Sequence, residues 1–344
     1  MRLTALVALV IGISGCSRPG PANAPGPHLI ERTHPSMGAQ AHVSAWTSDD
    51  TAALHAFDEG FAELERLEAL MSIWRPGSDI VRLNEAAGRN PVVVSADVLD
   101  ALRTAYEVGD WTGGAFDVTF AALADVWKFD HDQDNRIPSP DEIRVRIPLV
   151  DYRALRLDAT ARSAYLTRKG MRAHLGGIGK GYAIDRVAAL LKSRGLHNFM
   201  IQFGGDLYVA GTRGPRPWHL AIQDPRGAPG KTFAAIELSD SSFSTSGDYE
   251  RFFMRDGHRY HHILDPRTGA PARGCRSVTI VADNATLADA LSTGVFVMGP
   301  TAGMALIEKL PKVDGVIVTS ENRVLVSSGL TGRLQILAEP TDAP

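Results

Sequence analysis

The stretch His174–Asp185, HLGGIGKGYAID, sets four glycines and one lysine, Lys180, at the head of an amphipathic segment. Glycine lets backbone N–H groups come close to a ligand, and a helix starting there aims its unpaired N–H groups at the same point. Such a turn suits an anion, with Lys180 adding a point charge. It equally suits a plain strand-to-helix turn carrying a surface lysine. It is not a P-loop: Gly181 stands where a Ser or Thr belongs, and the leading glycine is missing.

Three further stretches hold chemistry-bearing side chains. In Ala282–Thr293, ADNATLADALST, a helix should start near Asn284 or Thr286. Asp289 and Thr293 then share one helical face. A carboxylate and a hydroxyl make a hard oxygen pair suited to Mg²⁺. Thr286-x-x-Asp289 is also a capping box, and on spacing alone that reading leads. In His261–Gly269, HHILDPRTG, a strand runs into a turn, so only one of His261 and His262 can face a given cleft. The one that does could act as a general base, or simply pack. In Trp111–Thr119, WTGGAFDVT, Gly113-Gly114 allow a tight turn. Ala115, Phe116 and Asp117 would then line a pocket, with Phe116 either stacking on a flat ring or filling core. The acidic run Asp130–Asp134 fails as an EF-hand, because Asn135 occupies the glycine position and Asp141 the place of the bidentate Glu.

These residues need elements to carry them. Apolar steps of three and four predict a helix over Asp50–Met71, and shorter helices over Val98–Val108 and Tyr182–Arg194. Strands are expected at Asn198–Phe203, Trp218–Gln223, Phe233–Leu238 and Val278–Val281. Hairpins are expected around Asp256-Gly257, joining Glu250–Met254 to His258–Leu264, and around Glu321-Asn322, joining Val316–Thr319 to Arg323–Val326. Helices separate from runs of adjacent strands predict an α+β fold with a largely antiparallel sheet and flanking helices.

At 344 residues and 44% hydrophobic, the chain can bury a sizeable core. A formal net charge of −3 gives no reason to expect nucleic acid as a partner. Residues 1–15 read as a signal peptide: Arg2, an apolar run over Leu3–Ile13, then Ser14-Gly15. That run is shorter than the roughly 20 residues a bilayer span needs. Ile13-Ser14-Gly15-Cys16 resembles a bacterial lipobox, which makes Cys16 the lipidation site. Residues 16–28, rich in Pro and Gly, form a flexible tether, and residues 29–340 one domain. With Cys16 lipidated, the second and last cysteine, Cys275, has no disulfide partner.

Taken together, eight ordered motifs resemble the ApbE family of FAD:protein FMN transferases: HPSMGAQ (34–40), SIWRPGSDIVRLN (72–84), GGAFDVT (113–119), HLGGIGKGYAID (174–185), FGGDLYVAG (203–211), STSGDYERFF (244–253), HHILDPRTG (261–269) and ATLADALST (285–293). The likeness runs from about Thr33 to Leu310. It implies an ApbE-like, T-fold-like mixed architecture and an enzyme that cleaves FAD, joins FMN through its phosphate to a Thr or Ser hydroxyl of a partner protein, and releases AMP. It implies Mg²⁺ on Asp289, Thr293 and the backbone oxygen of Gly177, with His262 as the base. Met37, Trp74, Ala115, Phe116, Asp117 and Ile263 match FAD-contacting positions, and Lys180 would meet the nucleotide. His174 stands where the family usually has aspartate, so it would contact ribose or adenine, or phosphate if protonated. Gly294 follows Thr293 where a better helix former is usual. Acceptors implied by the family are subunits of redox pumps or a respiratory regulator. The expected location is the cell envelope, on the periplasmic side, anchored to the inner or outer membrane. Two other readings stay open: an FAD pyrophosphatase giving FMN and AMP, and a lipoprotein that only holds flavin.

Overall fold

The computed structural model describes residues 26–343, apart from His131. The leader, Cys16 and most of the tether lie outside the described residues. No helix among the described residues is long and apolar enough to cross a membrane.

The chain opens with a hairpin of β1 (His28–Ser36) and β2 (Ala39–Thr47), followed by α1 (Asp50–Met71), α2 (Asp79–Glu85), the short β3 (Val92–Val93) and α3 (Ala96–Trp111). Next come a 3₁₀ turn at Val118–Leu123, α4 (Pro140–Arg146), β4 (Leu155–Asp158), β5 (Ser163–Leu166) and α5 (Gly179–Ser193). The second half holds β6 (Phe199–Phe203), β7 (Asp206–Ala210), β8 (Trp218–Gln223), β9 (Thr232–Leu238), β10 (Ser241–Gly247), and the hairpin β11 (Phe252–Arg255) with β12 (His258–His261). It closes with β13 (Cys275–Ala282), α6 (Ala285–Met298), α7 (Pro300–Ile307), β14 (Val313–Thr319), β15 (Val324–Val326) and β16 (Leu334–Ile336).

The main sheet runs β1-β2-β6-β7-β10-β13-β14-β15, and its neighbours pair antiparallel. Strand parity divides its side chains between two cores. Tyr208, Ala210, Val278 and Ile280 face the helices, while Leu207, Val209, Phe243 and Val281 meet the small sheet β16-β9-β8. A third cluster packs Trp127 and Phe129 under Phe253 and Leu264, tying the hairpin β11–β12 to the loop before α4. The expected α+β architecture is what the chain forms.

Helix α1 has the bounds its periodicity predicts, capped by Asp49, which accepts from Ala52 N at 2.9 Å. Helix α5 begins at Gly179, three residues earlier than expected, inside the glycine loop. The hairpin at Asp256-Gly257 forms with both residues at positive φ (51° and 75°), as a tight turn demands.

Helices α5 and α6 cap each other. Asp185 of α5 accepts from the first N–H groups of α6, Ala285 and Thr286, both at 2.8 Å. Asp289 of α6 in turn accepts from Gly181 N in the first turn of α5 at 3.0 Å. Each carboxylate satisfies orphan donors at a positive helix end. Gly181 is obligatory here, because a Cβ there would lie 2.1 Å from the Ala285 carbonyl oxygen.

Candidate active site

The reciprocal caps fix where Asp289 points. The capping-box expectation is corrected: Asn284, not Thr286, caps α6, accepting from Leu287 N at 2.8 Å. Asp289 caps the neighbouring helix instead, and its other oxygen lies 3.9 Å from Lys180 Nζ. One turn on, Thr293 Oγ1 sits 3.1 Å from Ser246 Oγ. Gly177 presses against the same turn, since a Cβ there would lie 3.3 Å from Thr293 Oγ1 and 3.2 Å from Phe116.

Around these residues opens a two-lobed cleft. The smaller lobe, about 250 Å³, is lined largely by apolar groups, among them Ala115, Phe116, Phe120, Trp127, Ile263 and Leu264. The larger, about 700 Å³, holds Met37, Glu68, Arg75, Lys180, Asp206 and Asp289. Nine of the described residues line both, including Trp74, His174, Arg251, His262 and Thr293, so the lobes are continuous. Within the described part, every residue that the ApbE resemblance places in the site lines one lobe or both, whereas His261 lines neither.

Each residue's local setting differs. Met37 sits at the tip of the β1–β2 turn with φ 44°, followed by Gly38 at 74°. Trp74, 56% exposed, stands at the mouth. Asp117 lines the small lobe but is also a brace: its oxygens accept from Thr119 N (2.7 Å), Thr119 Oγ1 (2.6 Å) and Tyr152 N (2.8 Å). Burial pushes its carboxyl up to about 6.

Lys180 pairs with Asp206 on β7, whose second oxygen accepts from Ser244. Burial alone would lower the Lys180 ammonium, but Asp206 and Asp289 more than offset it and hold it above its ordinary range. The carboxyl of Asp289 moves the other way: burial and the nearby Asp206 raise it, against the pull of Lys180. Asp206 was not foreseen as a site residue. It sits on a strand after Gly204-Gly205, with no helical spacing to tie it to Asp289.

The histidine pair separates as strand parity requires. His261 is buried, with Nε2 3.0 Å from the Ala272 carbonyl and its ring edge-on to Phe296. His262 faces the cleft. Its backbone N–H donates to the Arg251 carbonyl at 3.0 Å, and its Nδ1 lies 3.3 Å from the same oxygen. A carbonyl only accepts, so Nδ1 carries the proton in this contact and Nε2 keeps its lone pair. Burial, with help from Arg251, holds the imidazole well below its ordinary range, so it stays neutral at pH 7. His174, tilted against Phe120, is likewise lowered to about 4 by burial. In the protein alone the ring is therefore neutral near pH 7.

The oxygen donors of Asp289, Thr293 and Gly177 are hard and suit a small divalent cation. The described residues contain no group of three or more His, Cys, Asp or Glu side chains that could hold a metal. Mg²⁺ needs no such group, since it keeps waters and takes phosphate oxygens beside one or two carboxylates.

Comparison with known proteins gives the same picture throughout. The ApbE family model matches residues 37–317. An FAD:protein FMN transferase of Treponema pallidum is 32% identical over 352 residues, covering 98% of this chain and 96% of that protein. One from Escherichia coli K12 is 28% identical, with 89% of each covered. Among solved structures, the ApbE protein of Thermotoga maritima matches with a TM-score of 0.82 at 31% identity, covering 89% of this chain and 99% of that one. The flavin transferase ApbE of Vibrio cholerae matches at 0.80 and 27% identity, with the same coverage.

Proposed function

This chain belongs to the ApbE family, and from that premise we propose that it transfers FMN from FAD to a Thr or Ser hydroxyl of an acceptor protein, releasing AMP. The observation that carries the reading is the junction of the two lobes. There a neutral His262 with a free Nε2 lone pair stands in a cleft that also holds Thr293 and Asp289.

The flat isoalloxazine ring suits the apolar lobe, with Phe116 and Trp74 as stacking partners and Ala115, Asp117 and Ile263 forming the wall. The adenosine half takes the larger lobe, near Met37, and the pyrophosphate that links them must cross the junction. His174 meets the nucleotide as a neutral ring. His262 Nε2 accepts the proton of the acceptor hydroxyl as that oxygen bonds to the FMN-side phosphorus. The phosphorus–oxygen bond to AMP breaks, and the product is a phosphoester. The Arg251 carbonyl keeps the imidazole in the tautomer this step needs. Asp289, Thr293 and the Gly177 carbonyl would hold Mg²⁺, which when bound supplies charge neutralisation at the pyrophosphate. Lys180 supplies fixed positive charge beside the carboxylates. Cys16 carries a lipid anchor in this reading, and the domain works on the periplasmic face of a membrane at the end of its tether.

The test incubates the purified protein with FAD, Mg²⁺ and an acceptor protein. The expected result is a covalently fluorescent acceptor band with stoichiometric AMP. AMP released at the same rate without acceptor would instead make the protein an FAD pyrophosphatase. Bound FAD with neither product would leave a flavin carrier.

A further inference from the structure

Among the described residues, four permanent cations line the cleft: Arg75, Arg172, Lys180 and Arg251. Only Arg251 lines both lobes. Arg75 is shared by Glu65 and Glu68, Arg172 pairs with Asp125, and Lys180 is held by buried carboxylates. Arg251 pairs with Asp130, which lies on the loop before α4 and also lines both lobes. That pair is solvent-facing, with side chains 45% and 36% exposed. An ion pair this exposed is weak and is exchanged at little cost for a better partner. A guanidinium binds phosphate oxygens through a planar two-pronged fork, which an ammonium cannot match.

FAD carries its two negative charges between its flat ring and its adenosine. If the ring takes the apolar lobe and the nucleoside the polar one, those charges fall at the junction. Arg251 already stands there, lining both lobes together with His174 and His262. Its own backbone carbonyl holds His262 at both N and Nδ1.

We propose that Arg251 is a pyrophosphate-binding residue that leaves Asp130 when FAD enters, and that Asp130 competes with the dinucleotide for it. One residue then places the phosphate by its side chain and the base by its main chain. The inference rests on the transferase reading only for which lobe takes which half of FAD.

The test measures binding of FAD and of riboflavin, which lacks phosphate, by flavin fluorescence without added metal. The purified protein is compared with Arg251→Gln and Asp130→Asn. Arg251→Gln should weaken FAD about tenfold or more, the scale of a charged hydrogen bond lost, and leave riboflavin unchanged. Asp130→Asn, which keeps the shape and removes the competitor, should tighten FAD about two- to fivefold with riboflavin again unchanged. Equal losses for both ligands in Arg251→Gln would mean the side chain only packs, and no change in either variant would mean it never reaches the phosphates. Both results overturn the proposal. If Arg251→Gln fails to fold, Asp130→Asn decides alone. If the unaltered protein binds neither flavin even with Mg²⁺ added, the transferase reading falls, whereas flavin bound equally by the unaltered protein and both variants overturns this inference alone.

Discussion

The two lobes of the cleft are built by opposite means. The apolar lobe is walled by residues that also belong to the hydrophobic clusters, Phe116 and Ile263 to one and Trp127 and Leu264 to another. Its shape is a by-product of core packing and is as rigid as the core. The polar lobe instead encloses Asp206 and Asp289, 2% and 3% exposed, and they tolerate burial only because Lys180 and backbone or hydroxyl donors meet them. The first lobe selects by shape, and the second is an electrostatic arrangement with mutual dependence among its members. Damage should therefore spread differently in the two.

His262 stands where the lobes meet and should give the largest effect. His262→Ala should cut the transfer rate by about 10²–10⁴, the usual contribution of a general base, with FAD affinity little changed. Single-turnover AMP release alongside flavin fluorescence checks this, and an equal loss in both would move His262 from the reaction to binding. In the unaltered protein the acidic limb of the pH–rate profile should lie below pH 6.5, because burial holds this imidazole well below its ordinary range.

Asp289→Asn comes next. The amide can still accept from Gly181 N, so α5 keeps its cap and the fold should survive. Outer partners of a metal already cost 10–100-fold on mutation, so loss of a direct ligand should cost transfer about 100-fold or more and raise the Mg²⁺ midpoint. Riboflavin binding should not change. If it weakens as well, the two lobes are not independent.

What could be read from the sequence follows the range of the interactions involved. Asp289 and Thr293 were legible because a spacing of four is a local property of one helix. The choice between His261 and His262 was legible as an alternation, though parity alone could not say which faced in. The partners of these residues were not legible. Asp185 and Asp289 are 104 positions apart yet cap each other's helices, and a motif scan sees only a false capping box. Asp206 and Arg251 reach the cleft from a strand and a hairpin whose positions depend on the whole sheet. The β1–β2 hairpin was missed because its turn is Met37-Gly38. A Met at φ 44° lacks the Asn-Gly or Asp-Gly signal that revealed the hairpin at Asp256-Gly257. The glycine loop was recognised, but Lys180 was assigned to the nucleotide without its acidic partners.

His174 gives a smaller effect, and one of stability. Its folded pKa, about 4, lies below the ordinary 6.5 because it is buried. As pH falls from 6.5 to 4, the unfolded chain takes up a proton that the folded protein refuses, so stability drops across that window and levels off below it. The ceiling is about 3 kcal/mol, and partial solvent access should reduce it to about 1–2 kcal/mol. Melting curves at intervals from pH 7.5 to 4 should converge for the wild-type protein and His174→Gln at the top and diverge below 6.5, with the variant losing less. Parallel curves would mean that His174 is solvated.

The finest test of the lobe comparison is Phe116→Leu. Leucine preserves most of the apolar volume, so the packing against Gly177 and α6 should hold and the melting temperature should move little. What is removed is the aromatic face. Ring stacking is worth about 0.5–1.5 kcal/mol beyond buried area, so FAD and riboflavin should both weaken by about 2- to 13-fold. ADP has no isoalloxazine ring and should bind as before. If the wall is rigid core, the loss should be equal for the two flavins, because the phosphates are held by the other lobe. A larger loss for FAD than for riboflavin would mean that Phe116 acts through Gly177 on the polar lobe, since a shifted ring would release the loop that it supports against Thr293.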